Sequence, residues 1–223
     1  FIPGAIGSIA WLAGHEPLVP RIKHGLVVAC VGDPGRFTYK KSRRGNAEID
    51  RVVEHVLKHT TEKCEIREFL PYGYDERQYC SPAFDLAVGS LTRTPHGEFP
   101  EYHTSADNLD FVKKESLGES LQMHKTICET LEANRYYQNQ NPKCEPQLGK
   151  RGLYRTMGGD SAQPLNELAM LWVLNLSDGK HSLMDIAERA GLYFGVVEAA
   201  AKALRSAGLL AYAPEQQRSD LVH

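Results

Sequence analysis

Cysteine pairs, long apolar runs and a targeting segment are all missing from this sequence. Its five cysteines are odd in number and no two are spaced as C-x-x-C, which argues against both a disulfide framework and a structural zinc finger. No apolar run approaches the roughly 20 residues that a transmembrane helix needs, and no signal peptide is visible. We therefore expect a protein of the reducing cytoplasm with no membrane partner.

An excess of charge is missing as well. The 26 lysines and arginines nearly balance the 28 aspartates and glutamates, so the overall charge attracts neither nucleic acid nor an anionic membrane. The basic run Lys40 to Arg44 is interpreted as a solvated face, because only Phe37 and Tyr39 lie beside it as stacking surfaces for bases. A chain of 223 residues is long enough for one large domain, or for a medium and a small one.

The first part of the chain alternates strand, loop and helix patterns. Residues 25–31, Gly-Leu-Val-Val-Ala-Cys-Val, form a continuous apolar run, which is typical of a strand buried on both faces of a mainly parallel sheet. Residues 47–59 carry apolar side chains at helical spacing. Residues 83–91 predict a further strand and residues 110–137 a long helix. This alternation predicts an α/β domain over residues 1–145.

The last part of the chain has a different character. Prolines and glycines at residues 139–159 indicate a linker, and helices are predicted at residues 164–175, 182–190 and 193–207, before the strand of a terminal hairpin. This order predicts a winged helix-turn-helix domain over residues 146–223. Its candidate recognition helix carries only Lys202 and Arg205 among alanines, so protein contact or packing against the α/β domain is favoured over DNA binding.

The loop at residues 92–109 concentrates the side chains that could do chemistry. Pro95, Gly97 and Pro100 interrupt any helix there, and loops of this kind are where sites form. His103 is the candidate zinc ligand, because a neutral imidazole is the commonest protein ligand for zinc. Tyr102 and Asp107 lie close enough in sequence to act beside it or to orient it. The alternative interpretation is an ordinary surface histidine.

Four segments, in order, resemble one bacterial family of aminopeptidase-like proteins with a C-terminal winged helix. Members of that family are described as polysaccharide-biosynthesis proteins with an aminopeptidase-like domain. The segments are Phe1-Ile-Pro-Gly-Ala-Ile-Gly-Ser8, Tyr39-Lys-Lys-Ser-Arg-Arg-Gly-Asn46, Gly73-Tyr-Asp-Glu-Arg-Gln-Tyr-Cys-Ser-Pro82 and Pro100-Glu-Tyr-His-Thr-Ser-Ala-Asp-Asn108. The last one also resembles the Tyr-His-x-x-x-Asp segment of zinc aminopeptidases of the two-metal type.

This resemblance implies a zinc-dependent hydrolase that cleaves a peptide or amide bond in a small substrate. His103 would bind zinc and Tyr102 would polarise the substrate carbonyl. Glu76 would activate water as the base, and Arg77 would bind a substrate carboxylate. Asp75 and Asp107 would lie one layer further from the metal and orient these groups. Without the resemblance, residues 75–77 would be interpreted as a surface ion pair.

The sequence departs from that family at several positions. The paired glutamates expected before Gly4 fall on Phe1 and Ile2, and Asp33 is interpreted as a turn residue rather than as a zinc ligand. An upstream segment of the form His-Pro-Ser-x-x-Asn-Asp-Asn is also missing. We therefore expect the α/β domain to be incomplete at its N-terminus, with the upstream part of the same polypeptide as its partner.

The same departures keep two further functions open. One is a catalytically inactive binding or assembly module that keeps the peptidase fold, and the other is a winged-helix regulator that binds nucleic acid. The number of metals and the oligomeric state, including a homo-oligomer, stay open at this point.

Overall fold

Contacts divide the chain into two units, Phe1–Leu131 and Glu132–His223. The computed structural model describes residues 3–61, 63–153 and 167–214. The expected boundary at residue 145 lies inside the second unit, because Tyr136–Asn139 forms a strand that pairs with two later strands of that unit. None of the helices described combines the length and apolar character that a bilayer span requires.

The first unit is built on a four-stranded mixed sheet. Its strands are β1 (Gly25–Val28), β2 (Phe37–Lys40), β3 (Cys64–Arg67) and β4 (Val88–Thr92). They lie in the order β1-β4-β2-β3. β1 runs parallel to β4 and β2 parallel to β3, whereas β2 and β4 are antiparallel. The predicted α/β class is confirmed, and its sheet is parallel in two of three pairs.

Four helices and a 3-10 segment accompany this sheet. They are α1 (Ile6–His15), the 3-10 segment Glu16–Arg21, α2 (Glu48–Thr60), the short α3 (Glu76–Tyr79) and α4 (Lys114–Ala133). α2 matches the helix predicted at residues 47–59, because Val52, Val53 and Val56 at helical spacing are fully buried. Each such side chain contributes about 1.5–3 kcal/mol when it leaves water.

Three element predictions in this unit were too long. The strand predicted at residues 83–91 begins only at Val88, because the N–H groups of Phe84 and Asp85 bond back to the Ser81 carbonyl in a turn. β1 ends at Val28 instead of residue 31, since Cys30 has a positive φ of 47° that an extended strand does not adopt. It is also an edge strand, with Val28 57% exposed, so the expectation of burial on both faces was wrong. The helix predicted at residues 110–137 ends at Ala133, because Tyr137 belongs to the next strand.

In its described residues, the second unit combines three helices with a small antiparallel sheet. Its elements are β5 (Tyr136–Asn139), the 3-10 segment Gly149–Arg151, α5 (Glu167–Leu176), β6 (Asp178–Ser182), α6 (Leu183–Ala190), α7 (Phe194–Ser206) and β7 (Leu210–Tyr212). β5 lies between β6 and β7. The strand expected in a terminal hairpin therefore pairs with β5. The start of the first predicted helix, residues 164–166, lies outside the described residues.

Local signals explain where α6 begins and ends. The Ser182 hydroxyl accepts a hydrogen bond from the Asp185 N–H (3.2 Å), and the Asp185 carboxylate accepts one from the Ser182 N–H (2.7 Å). This reciprocal pair is a capping box, which satisfies donors that a helix start leaves free. Gly191 ends the helix with a φ of 65°, a left-handed conformation that glycine adopts without strain.

Candidate functional site

The loop that follows β4 is fixed at its start by a buried arginine. Arg93 is 4% exposed, and its guanidinium donates to the Gly35 carbonyl (2.8 Å) and to the Ser120 hydroxyl on α4 (3.1 Å). It also pairs with Glu119. The loop therefore leaves the sheet in a direction set by α4 and by the turn that contains Gly35.

Glu98 fixes the same loop to the sheet a few residues later. Arg67 of β3 donates through both of its terminal nitrogens to the two carboxylate oxygens of Glu98, at 2.5 and 3.0 Å. A two-bond arrangement of this kind orients both groups as well as attracting them. The hydrogen bonds from Arg67 lower the pKa of Glu98.

His103 lies further along the loop, at an exposed position. Its backbone has a φ of 59°, and its ring stacks on Tyr102 with 4.0 Å between ring centroids. In the part of the chain that the structure describes, neither ring nitrogen makes a hydrogen bond, so both are open to a ligand. Asp107 is exposed as well, and no described hydrogen bond joins its carboxylate to His103.

Tyr102 connects His103 to a cluster of rings around a second histidine, His96. The Tyr102 ring lies 6.0 Å from His96, which also contacts Tyr74 at 4.8 Å and Tyr72 at 5.5 Å. His96 was not singled out from the sequence, although it stands between Pro95 and Gly97 in the same loop. The three tyrosines that surround it come from two loops, and this grouping is visible only in three dimensions.

Glu76 forms a buried ion pair with a lysine of β2. Its side chain is fully buried, and Lys40 Nζ lies 2.5 Å from Oε1. The Tyr74 N–H donates to the same oxygen at 3.2 Å, while Oε2 is buried without a partner among the described residues. A side chain at Gly73 would place its Cβ 2.5 Å from both Oε1 and Lys40 Nζ, so glycine is required beside this pair.

The two neighbours of Glu76 are held in other ways. The Asp75 carboxylate accepts a hydrogen bond from the Ala5 N–H, which joins the loop to the start of α1. Arg77 is half-buried, and its Nε has no partner in the described ranges. Among the described contacts of these three residues, the one that reaches the sheet is the ion pair of Glu76 with Lys40 of β2.

A cleft of ≈ 290 Å³ lies between one face of the sheet and these loops. Alternate residues of β2 and β4 supply its floor, and its walls include Tyr72, Tyr74 and His96. The hydroxyl of Ser90, a residue 3% exposed, is buried here without a described partner, and so is Nδ1 of His96. Because buried polar groups are normally paired, these two are the cleft's open hydrogen-bonding positions.

Cys30 borders this region, and its surroundings do not favour a nucleophile. Its sulfur lies 2.9 Å from the hydroxyl of Tyr74. Burial raises the pKa of the Cys30 thiol by more than the hydrogen bond to Tyr74 lowers it, and the nearby charges of Asp33 and Asp107 raise it further. A thiol with a raised pKa stays protonated at neutral pH, so it lacks the thiolate that attack on a carbonyl requires.

The described residues do not complete a zinc site. Within residues 3–61, 63–153 and 167–214, no group of three or more His, Cys, Asp or Glu side chains is placed to hold a metal ion. The Asp33 carboxylate accepts hydrogen bonds from the Gly35 N–H (2.8 Å) and the Thr94 hydroxyl (2.6 Å), which is the turn role favoured above. His103 therefore stands as a single candidate ligand.

The two units, in this order, match an aminopeptidase-like domain and a C-terminal winged helix in known proteins. A crystal structure from Clostridium acetobutylicum, described as a peptidase, matches it with a TM-score of 0.86 and 48% identity over 94% of this chain and 46% of that one. The chain belongs to the family described as a domain of unknown function, DUF4910, whose model matches residues 1–134. Residues 135–212 match a winged helix-turn-helix family.

A curated protein of the same organism is also similar to this chain. It is described as a polysaccharide biosynthesis protein with an aminopeptidase-like domain, and it is 51% identical over 210 residues, or 94% of this chain and 48% of the relative. The chain thus spans about half the length of both relatives. A zinc aminopeptidase from Bacillus subtilis is 14% identical with a TM-score of 0.47 over 57% of this chain and 33% of that one, too distant to support any assignment.

Proposed function

We propose that the aminopeptidase-like domain acts in a zinc-dependent hydrolase that cleaves a peptide or amide bond in a small substrate. The observation that carries this proposal is the 51% identity with a protein described by its aminopeptidase-like domain. His103 adds to it, because its ring nitrogens are open and its ring stacks on Tyr102, which lies 6.0 Å from His96 in the wall of the cleft. The remaining zinc ligands would come from polypeptide outside the described residues, so no catalytic step is assigned to the metal.

The cleft is the part of the site that this chain supplies on its own. In the proposed role, it holds a side chain of the substrate, with hydrogen bonds from the Ser90 hydroxyl and from His96 Nδ1. Arg77 would bind a carboxylate of the substrate, and Tyr102 would donate a hydrogen bond to the carbonyl under attack. Glu76 would act as the base through Oε2, the oxygen that Lys40 does not engage.

The test is zinc content by mass spectrometry, measured on this chain and on a version joined to the half of the C. acetobutylicum relative that lies outside the match. We expect stoichiometric zinc in the joined protein, its loss in His103→Ala, and its retention in His15→Ala, which removes an exposed histidine of α1. Tyr102→Phe should keep zinc and lower the turnover of aminoacyl and amide substrates by roughly 10²-fold or more.

Zinc that persists in His103→Ala would show that His103 is not a zinc ligand. Full turnover by Tyr102→Phe would remove the role of the tyrosine without touching the metal assignment. If neither version of the protein contains zinc, the zinc-dependent hydrolase proposal fails.

The second candidate is an inactive module that keeps the peptidase fold for binding. It is favoured by the ion pair that occupies Oε1 of Glu76 and by the lack of a three-residue metal cluster in the described part of the chain. Such a module would bind a peptide in the cleft without zinc and without turnover. Metal retention therefore separates it from the hydrolase.

A nucleic-acid regulator has the least support. On α7, Lys202 pairs with Glu198 at 2.5 Å, and Arg205 donates to the Tyr212 hydroxyl at 3.0 Å. Two cations that are already engaged can neutralise few phosphates. For the winged helix we accordingly propose contact with protein.

A further inference from the structure

The lysine in the floor of the cleft has no proton left for a ligand. Lys40 lines the cleft, and its Nζ pairs with Oε1 of Glu76 and donates to the carbonyls of Leu70 (3.3 Å) and Tyr72 (2.6 Å). Because an ammonium group has three protons, these contacts use all of them. Lys40 therefore fixes the loop around Tyr72 and does not act as a free cation.

The other charged side chains that line the cleft are compensated in the same way. Arg67 binds Glu98 through both terminal nitrogens and Glu65 through Nε. Glu68 pairs with Lys41 at 3.2 Å. Each ionised side chain of the lining thus has its counter-charge among the described residues. A charged ligand would lose its hydration there without gaining a partner of opposite charge.

The two open groups of the cleft are neutral, and each can donate or accept a hydrogen bond. The Ser90 hydroxyl lies in the floor and Nδ1 of His96 in the wall, both buried without a partner in the described part of the chain. A hydroxyl has one proton and two lone pairs, and Nδ1 of a neutral imidazole donates in one tautomer and accepts in the other. A ligand hydroxyl has the same double capacity, whereas a carboxylate only accepts and an ammonium group only donates.

Two tyrosine rings border these open groups. Tyr74 meets the His96 ring edge-on at 4.8 Å, and Tyr72 lies 5.5 Å from it. Tyr72 is 64% exposed, although its carbonyl is held by Lys40. Its ring therefore presents a flat apolar surface beside hydrogen-bonding groups. This combination suits a ligand that has one apolar face and several hydroxyls around its edge.

We propose that the cleft binds an uncharged sugar ring, with the C–H face of the sugar on Tyr72 and with sugar hydroxyls bonded to Ser90 and to Nδ1 of His96. An apolar peptide side chain would leave both open groups unpaired, which costs free energy in a buried site. The inference rests on the proposed function only in taking the cleft as the part of the site that holds substrate. The substrate of the hydrolase would then be an amide that carries a sugar.

The test measures binding to this chain without metal, by saturation-transfer NMR and by titration of chemical shifts. The probes are the methyl glycosides of glucose, galactose and N-acetylglucosamine. We expect at least one of them to bind with a Kd in the millimolar range, as suits a ligand of this size. The glycuronide of the same sugar, which adds a carboxylate to the ring, should bind roughly tenfold more weakly or worse. N-acetylphenylalanine amide, an uncharged aromatic probe without hydroxyls, should also bind roughly tenfold more weakly.

Substitutions locate the binding in the cleft. Ser90→Ala and His96→Phe each remove one open group, and Tyr72→Ala removes the exposed ring, so each should weaken the binding of the glycoside roughly tenfold. Tyr72→Phe keeps the ring and should keep the affinity. Ser105→Ala is the matched control for Ser90→Ala, because Ser105 is exposed and does not line the cleft, and it should leave the affinity unchanged.

Binding by none of the glycosides, or equal binding by Ser90→Ala and Ser105→Ala, would overturn the proposal. Tighter binding of N-acetylphenylalanine amide would assign the cleft to an apolar peptide side chain, and tighter binding of the glycuronide would show that a cation of the cleft is free. If Ser90→Ala does not fold by circular dichroism, Tyr72→Ala decides, because Tyr72 is largely exposed. Zinc content is measured separately, so a protein that binds zinc but no sugar contradicts this inference alone, and one that binds sugar but no zinc contradicts the hydrolase alone.

Discussion

Asp50 is a charged side chain that the first unit buries almost completely. It is 1% exposed, and its carboxylate accepts four hydrogen bonds: from the Tyr39 hydroxyl (2.8 Å), the Ser42 N–H (2.6 Å), the Ser42 hydroxyl (2.6 Å) and the Ala47 N–H (3.0 Å). The charge also lies in the first turn of α2, where the helix dipole favours an anion. Asp50 therefore joins β2, the following turn and α2.

Replacing Asp50 by alanine should destabilise the first unit by at least about 3 kcal/mol, because four donors lose their acceptor inside the protein. Chemical denaturation followed by circular dichroism measures this loss. Glu68→Ala is the matched control, since it removes an exposed carboxylate that pairs with Lys41 at 3.2 Å, and a pair of that kind contributes about 0–1 kcal/mol. Equal losses in the two variants would show that the buried network adds no stability of its own.

At the residue scale, some contacts of the candidate site could be predicted from the sequence and others could not. His103 and Tyr102 could be selected because they are neighbours in one loop, and their rings do stack. The partner of Glu76 could not be selected, because Lys40 lies 36 positions earlier and reaches it only through the folded sheet. The cluster around His96 depends in the same way on two loops that meet in space.

At the scale of elements, the loop after β4 is held to the sheet by a bond that depends on pH. The hydrogen bonds from Arg67 lower the pKa of Glu98 below its usual 4.5, and they lower that of Glu65 as well. The folded state therefore binds fewer protons than the unfolded state near this pH. The stabilisation is present above about pH 4.5 and is lost as the pH falls through the lowered pKa values.

We accordingly expect hydrogen-exchange protection of residues 93–104 to fall below about pH 4.5, before that of α2 changes. Both glutamates are partly exposed, so the effect is confined to the loop and small in overall stability. Arg67→Ala should lower the protection already at pH 7 and remove its pH dependence. A loop that keeps equal protection at pH 7 and pH 3.5 in the unmodified chain would show that other contacts hold it.

Element predictions succeeded where the signal is local. α2 and α7 carry apolar residues at helical spacing over 13 residues each, and their bounds differ from the prediction by one residue. β1 was predicted to be too long and to be buried on both faces. Its apolar run reveals neither the positive φ of Cys30, which ends the strand, nor the position of the strand at the edge of the sheet. Strand order and direction depend on long-range pairing, which periodicity does not encode.

At the scale of the whole molecule, each unit has its own apolar core. In the first, α2 contributes Val52, Val53 and Val56, and in the second, α5 contributes Met170 and Val173, all fully buried. The family models meet between residues 134 and 135, close to the division that contacts make at residue 131. Separate cores and separate families indicate two units that can unfold separately.

Calorimetry of the chain should therefore show two thermal transitions, which two substitutions assign. Asp50→Ala should lower only the transition of the first unit. Ser182→Ala should lower only the other, because it removes the cap of α6 at about 1 kcal/mol, or roughly 4–8 °C for a domain of this size. Ser206→Ala, which removes an exposed serine at the end of α7, should change neither. If instead a single transition moves with both Asp50→Ala and Ser182→Ala, the two units unfold as one, and the winged helix contributes stability to the aminopeptidase-like domain.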